Sequence, residues 1–485
     1  MLKILSAEDA ACLRDFLQES KYQQAEIRDG IALRELPSKR HGNLPHLMHR
    51  TSGHNPLAVL LRLFFVGAPV DVALTDEIIP GRVRQIMLNC GLLVRDGNQY
   101  SSDVMLAPFE EILTASDPMR TVESPEHKDL VLWPNPTTWL LWRYTIPKRF
   151  DSVLDLGCGC GVQALMAAKH CGQVMATDLN VRARDFSLFN VWLNGLDNVE
   201  CLDGDTYQPV DGRKFDLIVS NPPFFVTPKA SDLFCSNSME LDQYCRRVIK
   251  EGAERLNEGG YLQLVCEWVQ VKGQPWADRI AEWLEGTGCD AWVFKGYQED
   301  PGQYAQKRIR ETSGTVDDQT YSEWMDYYGA RGVESVFGGL ITLHRRSGTN
   351  WTRWDEIPGW PKVPFGHTVQ RCFENRDFLD ANPEGSDMSE WKPALVDTVR
   401  LEQIFSPGEG VWTQTSLKLT LTDGLPLSMN LQPLVAEFLV QCDGKRTFRE
   451  LVDDFSKKAN APRDQVEREC ASVVRRMLER GFFTP

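Results

Sequence analysis

The sequence predicts an α/β protein built on a doubly wound, mostly parallel sheet, and three stretches carry that prediction. Val153-Leu154-Asp155-Leu156 is a short apolar run that breaks into Gly157-Cys158-Gly159-Cys160-Gly161 and resumes as a helical pattern from Val162 to Lys169. Gln173 to Thr177 is a second apolar run, closed by Asp178, and Phe215 to Ser220 is a third, closed by Asn221-Pro222-Pro223-Phe224. Strand, turn, helix and strand in that order belong to sheets whose ligands sit beyond the carboxyl ends of the strands.

The glycine turn lets the main chain pass close to a ligand. Its spacing is G-x-G-x-G, and Val162 stands where the third glycine of the dinucleotide fingerprint would fall, which argues against a nicotinamide enzyme. Asp178 is placed to accept both hydroxyls of a ribose. In Cys201-Leu202-Asp203-Gly204-Asp205, Asp205 is the candidate for an adenine amino group, with Asp203 as its competitor. Asn221-Pro222-Pro223-Phe224 points to chemistry on a planar nitrogen. An exocyclic amine or side-chain amide keeps its lone pair in conjugation. A carboxamide oxygen and a neighbouring main-chain carbonyl can grip both N–H groups and turn that lone pair toward an electrophilic methyl.

From Asp151 to about Arg346 the order of these pieces resembles a class I S-adenosylmethionine-dependent methyltransferase of the small-domain type. By motif it is similar to release-factor glutamine N5-methyltransferases and to guanine-N2 and adenine-N6 RNA methyltransferases. The resemblance implies a Rossmann-like seven-stranded sheet and S-adenosyl-L-methionine as cofactor. Asp155, Gly157, Gly159, Gly161, Asp178, Asp205 and Asn221 would line its site. Asn221 and the Pro222 carbonyl would hold the target nitrogen, and Phe224 would stack on its flat group. The glutamine enzymes usually carry Tyr where this chain has Phe224, while Phe there is familiar among the guanine-N2 enzymes. The implied activity is N-methylation of a planar amide or exocyclic amine, a protein glutamine side chain first and an RNA base as the alternative. No general base is expected, because positioning against a sulfonium supplies most of the acceleration.

Composition sets the frame. A chain of 485 residues suggests about three domains, and 42% hydrophobic with 25% charged residues is ordinary for a soluble fold. No apolar run reaches the roughly 18 residues of a membrane helix. The start, Met1 to Asp9, turns acidic too early for a secretory signal, so a cytoplasmic location is expected. The 13 cysteines read as reduced thiols, Cys158 and Cys160 lack a second pair for zinc, and the 8 histidines are scattered, so no metal is expected. The net charge of −15 is concentrated in the central region. It argues against a grip on long nucleic acid and favours a protein or small-molecule acceptor; the resemblance implies a translation factor as the protein.

Five regions follow along the chain. Residues 1–110 read as a helical, winged-helix-like domain, with a helix over Ile78–Asn89 carrying Arg82 and Arg84 and a strand pair over Leu92–Tyr100. Residues 111–150 connect it to the core. By the same resemblance their segment Trp133 to Thr138 would cover the cofactor, with Thr137 or Thr138 touching its methionine part, the alternative being a Pro-stiffened linker with Trp133 and Trp139 packed on the core. Residues 151–346 form the catalytic domain. In it Phe225–Met239 is the candidate lid or acceptor-reading loop. Asp290–Phe294 and Val336–His344 form a closing antiparallel pair around an aromatic insertion, Asp300–Gly332, with Tyr304, Tyr321, Trp324, Tyr327 and Tyr328. Residues 347–400 read as a Trp/Pro-rich linker, and 401–485 as a second winged-helix-like domain with helices over Pro433–Gln441, Thr447–Lys458 and Pro462–Arg480. Thr447 and Glu450 spell a capping box. Arg463, Arg468, Arg475, Arg476 and Arg480 offer a face to RNA or an acidic partner, and both flanking domains are candidates for docking the acceptor.

Overall fold

The computed structural model describes residues 2–31, 44–118, 129–228, 237–357, 359–408 and 410–484. They divide into two compact units, Met1–Leu141 with Arg149–Pro358, and Trp142–Lys148 with Gly359–Pro485.

The first unit opens with helix α1 (Ala7–Glu19), capped by Ser6 and Asp9. The helix expected over Ile78–Asn89 is present as α2 (Gly81–Cys90), and a separate helix, Val72–Ile78, precedes it. Pro80 lies between them and has no N–H to continue the first ladder. A hairpin of Val94–Asp96 with Gln99–Ser101 follows. Arg82 and Arg84 are engaged within the module, by Glu8 at 2.6 Å and Asp76 at 3.0 Å. Strands β1 (Met105–Phe109) and β2 (Ile112–Ser116) then pair antiparallel, and helix α3 (Pro136–Tyr144) leads toward the sheet.

The central sheet is built from β3 (Ser152–Leu156), α4 (Val162–Ala168), β4 (Gln173–Asp178), α5 (Val181–Asn194), β5 (Val199–Asp203), β6 (Phe215–Ser220), α6 (Gln243–Glu254), β7 (Leu256–Val271), α7 (Trp276–Leu284), β8 (Cys289–Glu299), α8 (Pro301–Ser313), α9 (Asp318–Ala330), β9 (Val333–Arg345) and β10 (Thr352–Glu356). Its order is β10-β8-β9-β7-β6-β3-β4-β5. The five strands β7, β6, β3, β4 and β5 run parallel, and β9 runs antiparallel between β7 and β8. Leu154, Ala176, Ile218 and Leu262 are fully buried, as expected where helices cover both faces of a parallel sheet. The seven expected strands are joined by an eighth, β10, which lies parallel to β8. It comes from the stretch expected as a linker. Its Asp355 accepts from Trp292 Nε1 at 2.8 Å, and its Trp354 packs edge-on to Trp276 with ring centroids 5.5 Å apart. The insertion forms the two helices α8 and α9, whose Tyr304, Ile309, Trp324 and Tyr328 bury against Val226, Val269 and Val336.

The second unit comprises α10 (Gly366–Ala381), a three-stranded antiparallel sheet of β11 (Val399–Pro407), β12 (Trp412–Leu421) and β13 (Ser428–Asn430), and the helices α11 (Pro433–Leu439), α12 (Phe448–Ala459) and α13 (Arg463–Glu479). Phe438, Leu451, Phe455, Val474 and Phe482 form its core. The capping box is present, with Thr447 N donating to Glu450 at 2.8 Å and Glu450 N to the Thr447 hydroxyl at 3.3 Å. This unit takes in α10, upstream of the boundary expected at 401. Asn375 ties that helix in by donating to the Leu478 and Phe483 carbonyls, each at 2.8 Å. Two of the five arginines of the expected face are occupied. Arg463 pairs with Asp453 and Glu467, and Arg475 donates to the Asn382 and Pro383 carbonyls.

Candidate active site

Three strand ends converge on a cleft of about 480 Å³ in the first unit, where Gly157 follows β3, Asp178 ends β4 and Asn221 follows β6. Asp155, Gly159 and Asp205 line the same cleft. The turn of the polypeptide on either side of β3 opens a crevice at this point, the usual ligand position of open α/β sheets. Gly161, Pro222 and Phe224 are not on its lining. Gly161 starts α4, Pro222 is buried, and Phe224, 8% exposed, packs beside Phe225 with centroids 5.7 Å apart. Pro223 lines the wall in their place.

The glycine turn engages its own amides inside the fold. Gly157 N and Cys158 N donate to the Thr177 carbonyl at 2.8 and 3.0 Å, Gly161 N to the Cys158 carbonyl at 2.8 Å, and Gly159 N to Asp178 Oδ2 at 2.8 Å. These N–H groups are therefore not free to cradle a phosphate, as a dinucleotide loop would. Gly161 sits at φ 83°, and a Cβ there would meet Ser187 Oγ at 2.9 Å, so position 161 requires glycine.

Asp178 accepts from Asn180 N with its other oxygen, at 2.8 Å. Burial pushes its carboxyl above the ordinary value, while the Asn180 and Gly159 amides pull it back. Each carboxylate oxygen retains further acceptor capacity. Asp155 is 2% exposed and accepts from Ala164 N in the first turn of α4 at 2.9 Å, where a carboxylate suits the helix dipole. Burial pushes its carboxyl up to about 7, opposed by the Ala164 bond and reinforced by the charge of Asp178.

Asp205 lies at the rim. It accepts from the Thr206 hydroxyl at 2.7 Å and from Arg247 at 3.0 and 3.2 Å. The Thr206 hydroxyl and then the Arg247 guanidinium hold its carboxyl below the ordinary range, against partial desolvation. Its competitor Asp203 turns to Arg184 and is absent from the lining. Arg247 and Tyr244 escaped the sequence reading. Their spacing of three on α6 puts them on one helix face, the only signal available.

Asn221 is held through α3. Its Nδ2 donates to Thr137 Oγ1 at 3.1 Å, and its Oδ1 is buried without a hydrogen-bond partner among the described residues. Thr137 in turn donates to Asn135 Oδ1 at 2.7 Å. Thr138, not Thr137, lines the cleft, and its carbonyl accepts from Gln163 of α4 at 2.9 Å.

The main chain after the Asn-Pro-Pro-Phe motif is clamped by the insertion. Val226 N donates to Tyr304 Oη at 3.1 Å, and Tyr328 Oη donates to the Val226 carbonyl at 2.7 Å. Arg308 lies 3.8 Å over the Phe225 ring and pairs with buried Glu267, which also accepts from Tyr297 and Tyr304. Residues 229–236 of the expected lid lie outside the described residues. Beyond them Asn237, Ser238 and Met239 line the cleft, and Asn237 Nδ2 donates to the Pro223 carbonyl at 2.7 Å.

Opposite, Leu130, Val131, Leu132 and Trp133 form the wall supplied by the connecting segment. Asp117, just after β2, fixes it by donating its amide to the Val131 carbonyl at 3.0 Å and accepting the Val131 amide at 2.8 Å. The strand β2 is itself held by two asparagines one turn apart on α5. Asn190 exchanges hydrogen bonds with Ala115 at 2.7 and 2.9 Å, and Asn194 with Leu113 at 2.9 and 2.7 Å.

Residues 136–274, which hold the glycine turn, Asp178 and Asn221, match the family described as "Methyltransferase small domain". The segment that lines the cleft is thus similar in sequence to a methyltransferase small domain. Residues 370–485 match a "Domain of unknown function (DUF7782)". Among curated relatives, "Release factor glutamine methyltransferase" of Xylella fastidiosa (strain 9a5c) is 45% identical over 135 residues, 24% of this chain and 47% of its own. "Ribosomal RNA small subunit methyltransferase C" of Alcanivorax borkumensis is 34% identical over 114 residues, 24% of this chain and 31% of its own. The chain thus spans less than half the length of either relative. Among solved structures, a T. Thermophilus 16S rRNA N2 methyltransferase in complex with AdoMet and guanosine is 16% identical with a TM-score of 0.28, covering 57% of this chain and 64% of that one. No described helix is long and apolar enough to cross a membrane.

Proposed function

We propose that the protein is an S-adenosylmethionine-dependent N-methyltransferase acting on a planar amide nitrogen, a protein glutamine side chain being the best candidate. The observation that carries this reading is the Asn221 oxygen, a buried acceptor on the cleft wall without a partner among the described residues. An acceptor in that state costs free energy until a donor reaches it. The N–H of an amide or exocyclic amine is such a donor.

The cleft also fits the cofactor. Asp155, Asp178 and Asp205 line it, and Gly157, Cys158, Gly159 and Gly161 have no amide to offer a phosphate. That donor set suits a cationic nucleoside and not a diphosphate. Asp178 would hold the ribose hydroxyls, the glycine turn would allow close approach, and Asp205 would meet the adenine amino group beside Arg247. When bound, S-adenosylmethionine supplies an electrophilic methyl on a sulfonium. The protein's part is to hold an N–H of the acceptor on Asn221 Oδ1, which turns the nitrogen toward that methyl. As the N–CH3 bond forms and the S–CH3 bond breaks, positive charge grows on that nitrogen, the carboxamide dipole meets it, and the N–H proton, now acidic, leaves to water. Fixing both reactants contributes up to roughly 7 to 11 kcal/mol in favourable cases. We assign the flanking domains to acceptor docking. We place the enzyme in the cytoplasm, where its free thiols persist.

The relative named for release-factor glutamine and the net charge of −15 favour a protein acceptor. A second reading, an RNA base, is favoured by the relative named for ribosomal RNA. Incubation of the full chain with labelled S-adenosylmethionine and a cell extract, followed by protease or nuclease, separates the two. Label lost to protease supports the protein acceptor, and label lost only to nuclease rejects it for RNA. Asn221→Ala should bind S-adenosylhomocysteine normally by calorimetry and transfer no methyl.

A further inference from the structure

We infer that Thr137 is a positioning residue that decides which end of the Asn221 carboxamide is left to receive the acceptor; this rests on the role proposed for Asn221. The oxygen of Asn135 is fixed as an acceptor, because the amides of Thr137 and Thr138 both donate to it at 3.0 Å. Thr137 Oγ1 lies 2.7 Å from that same oxygen. Two oxygens so close require a proton between them, and a hydroxyl carries one. The Thr137 proton is therefore committed to Asn135, and toward Asn221 the hydroxyl has only lone pairs. At 3.1 Å it can take the Asn221 NH2 group and not its carbonyl.

The consequence is chemical. With Nδ2 tied to Thr137, Oδ1 is the atom left without a partner. A half-turn of the amide would set the NH2 group against an acceptor nitrogen that itself carries only N–H donors, and the grip would fail. The two ends of a carboxamide have nearly the same shape, so packing alone does not choose between them. The hydroxyl does. The relay Asn135–Thr137–Asn221 also starts just ahead of α3, a helix whose Thr138 carbonyl is bound to α4 through Gln163. The choice of orientation is thus anchored to the same framework as the glycine turn.

The test compares Thr137→Val, which keeps the shape and loses the hydroxyl, with Thr137→Ser, which keeps the hydroxyl. Each full-length variant is assayed for initial methyl transfer from saturating labelled S-adenosylmethionine into an extract of cells lacking the protein, with S-adenosylhomocysteine affinity measured by calorimetry. Thr137→Val should lose about tenfold or more in rate while its affinity changes by less than about twofold, and Thr137→Ser should return to within about threefold of the parent. A Val variant as fast as the parent, or a Ser variant as slow as Val, overturns the inference. Should Thr137→Val fail to fold, Thr137→Ala set against Thr137→Ser decides by the same two readings. Asn221→Ala at the parental rate overturns instead the reading on which the inference rests.

Discussion

Arg182, in the first turn of α5, holds Asp117 with two nitrogens, at 2.6 and 3.0 Å, across 65 positions of sequence. Because Asp117 also binds both main-chain groups of Val131, one ion pair fixes a wall of the cleft to the helix that follows Asp178. Replacing Arg182 by Gln leaves a nearly buried carboxylate without its counter-charge. The arginine is 40% exposed, so solvent recovers part of the loss and the cost is about 1 to 3 kcal/mol in urea melts. S-adenosylhomocysteine affinity should fall with it, and Asp117→Asn in the same chain should restore part of the stability. An unchanged affinity would separate the wall from the cofactor.

Asp155 gives stability a pH dependence of definite sign. In the unfolded chain its carboxyl titrates near 3.8, and in the fold at about 7, so between those values the native state holds a proton that the unfolded state releases. Its contribution is complete at acid pH, declines as pH rises toward about 7, and is level above, at a slope of up to roughly 1.4 kcal/mol per pH unit. Asp155→Asn keeps an acceptor for Ala164 and removes the titration. Melts of parent and variant at a series of pH values should diverge across that window; parallel curves would refute the assignment.

Asp178→Ala removes the carboxylate proposed to take the ribose hydroxyls and also strands the Gly159 and Asn180 amides. Loss of a charge-assisted bond corresponds to about 1.5 to 3 kcal/mol, or about 10- to 100-fold in affinity for S-adenosylhomocysteine. Calorimetry measures it directly, and parental affinity would remove Asp178 from the cofactor site.

Tyr328→Phe deletes the donor to the Val226 carbonyl and keeps the ring. The expected outcome is a loss of about 1 kcal/mol in stability and a larger fall in methyl transfer than in cofactor affinity, since the clamp acts on the acceptor side. Equal falls in both would place the insertion's role elsewhere.

What the sequence makes legible is local. A glycine turn after an apolar run, an acid at a strand end and Asn before two prolines declare their geometry within a few residues, and Asp155, Gly157, Gly159, Asp178, Asp205 and Asn221 all reach one cleft. Relationships set by sheet order stay hidden. The pairing of Asp205 with Arg247 spans 42 positions, and only the choice between Asp205 and Asp203 could be posed beforehand. Phe224 turns inward because Pro222 and Pro223 fix the chain direction ahead of it, a geometry that residue type does not reveal. The strand β10 is five residues in a stretch rich in Trp and Pro, too short for a pattern to outweigh its surroundings.

That short strand decides where the enzymatic part of the chain can be cut. Ala291 to Lys295 of β8 face Thr352 to Glu356 in register. A polypeptide trimmed after Arg346 would bare a row of amides and carbonyls to bulk water, a ready template for sticking to its own copies. A soluble fragment for crystallography or labelling should therefore run past Glu356.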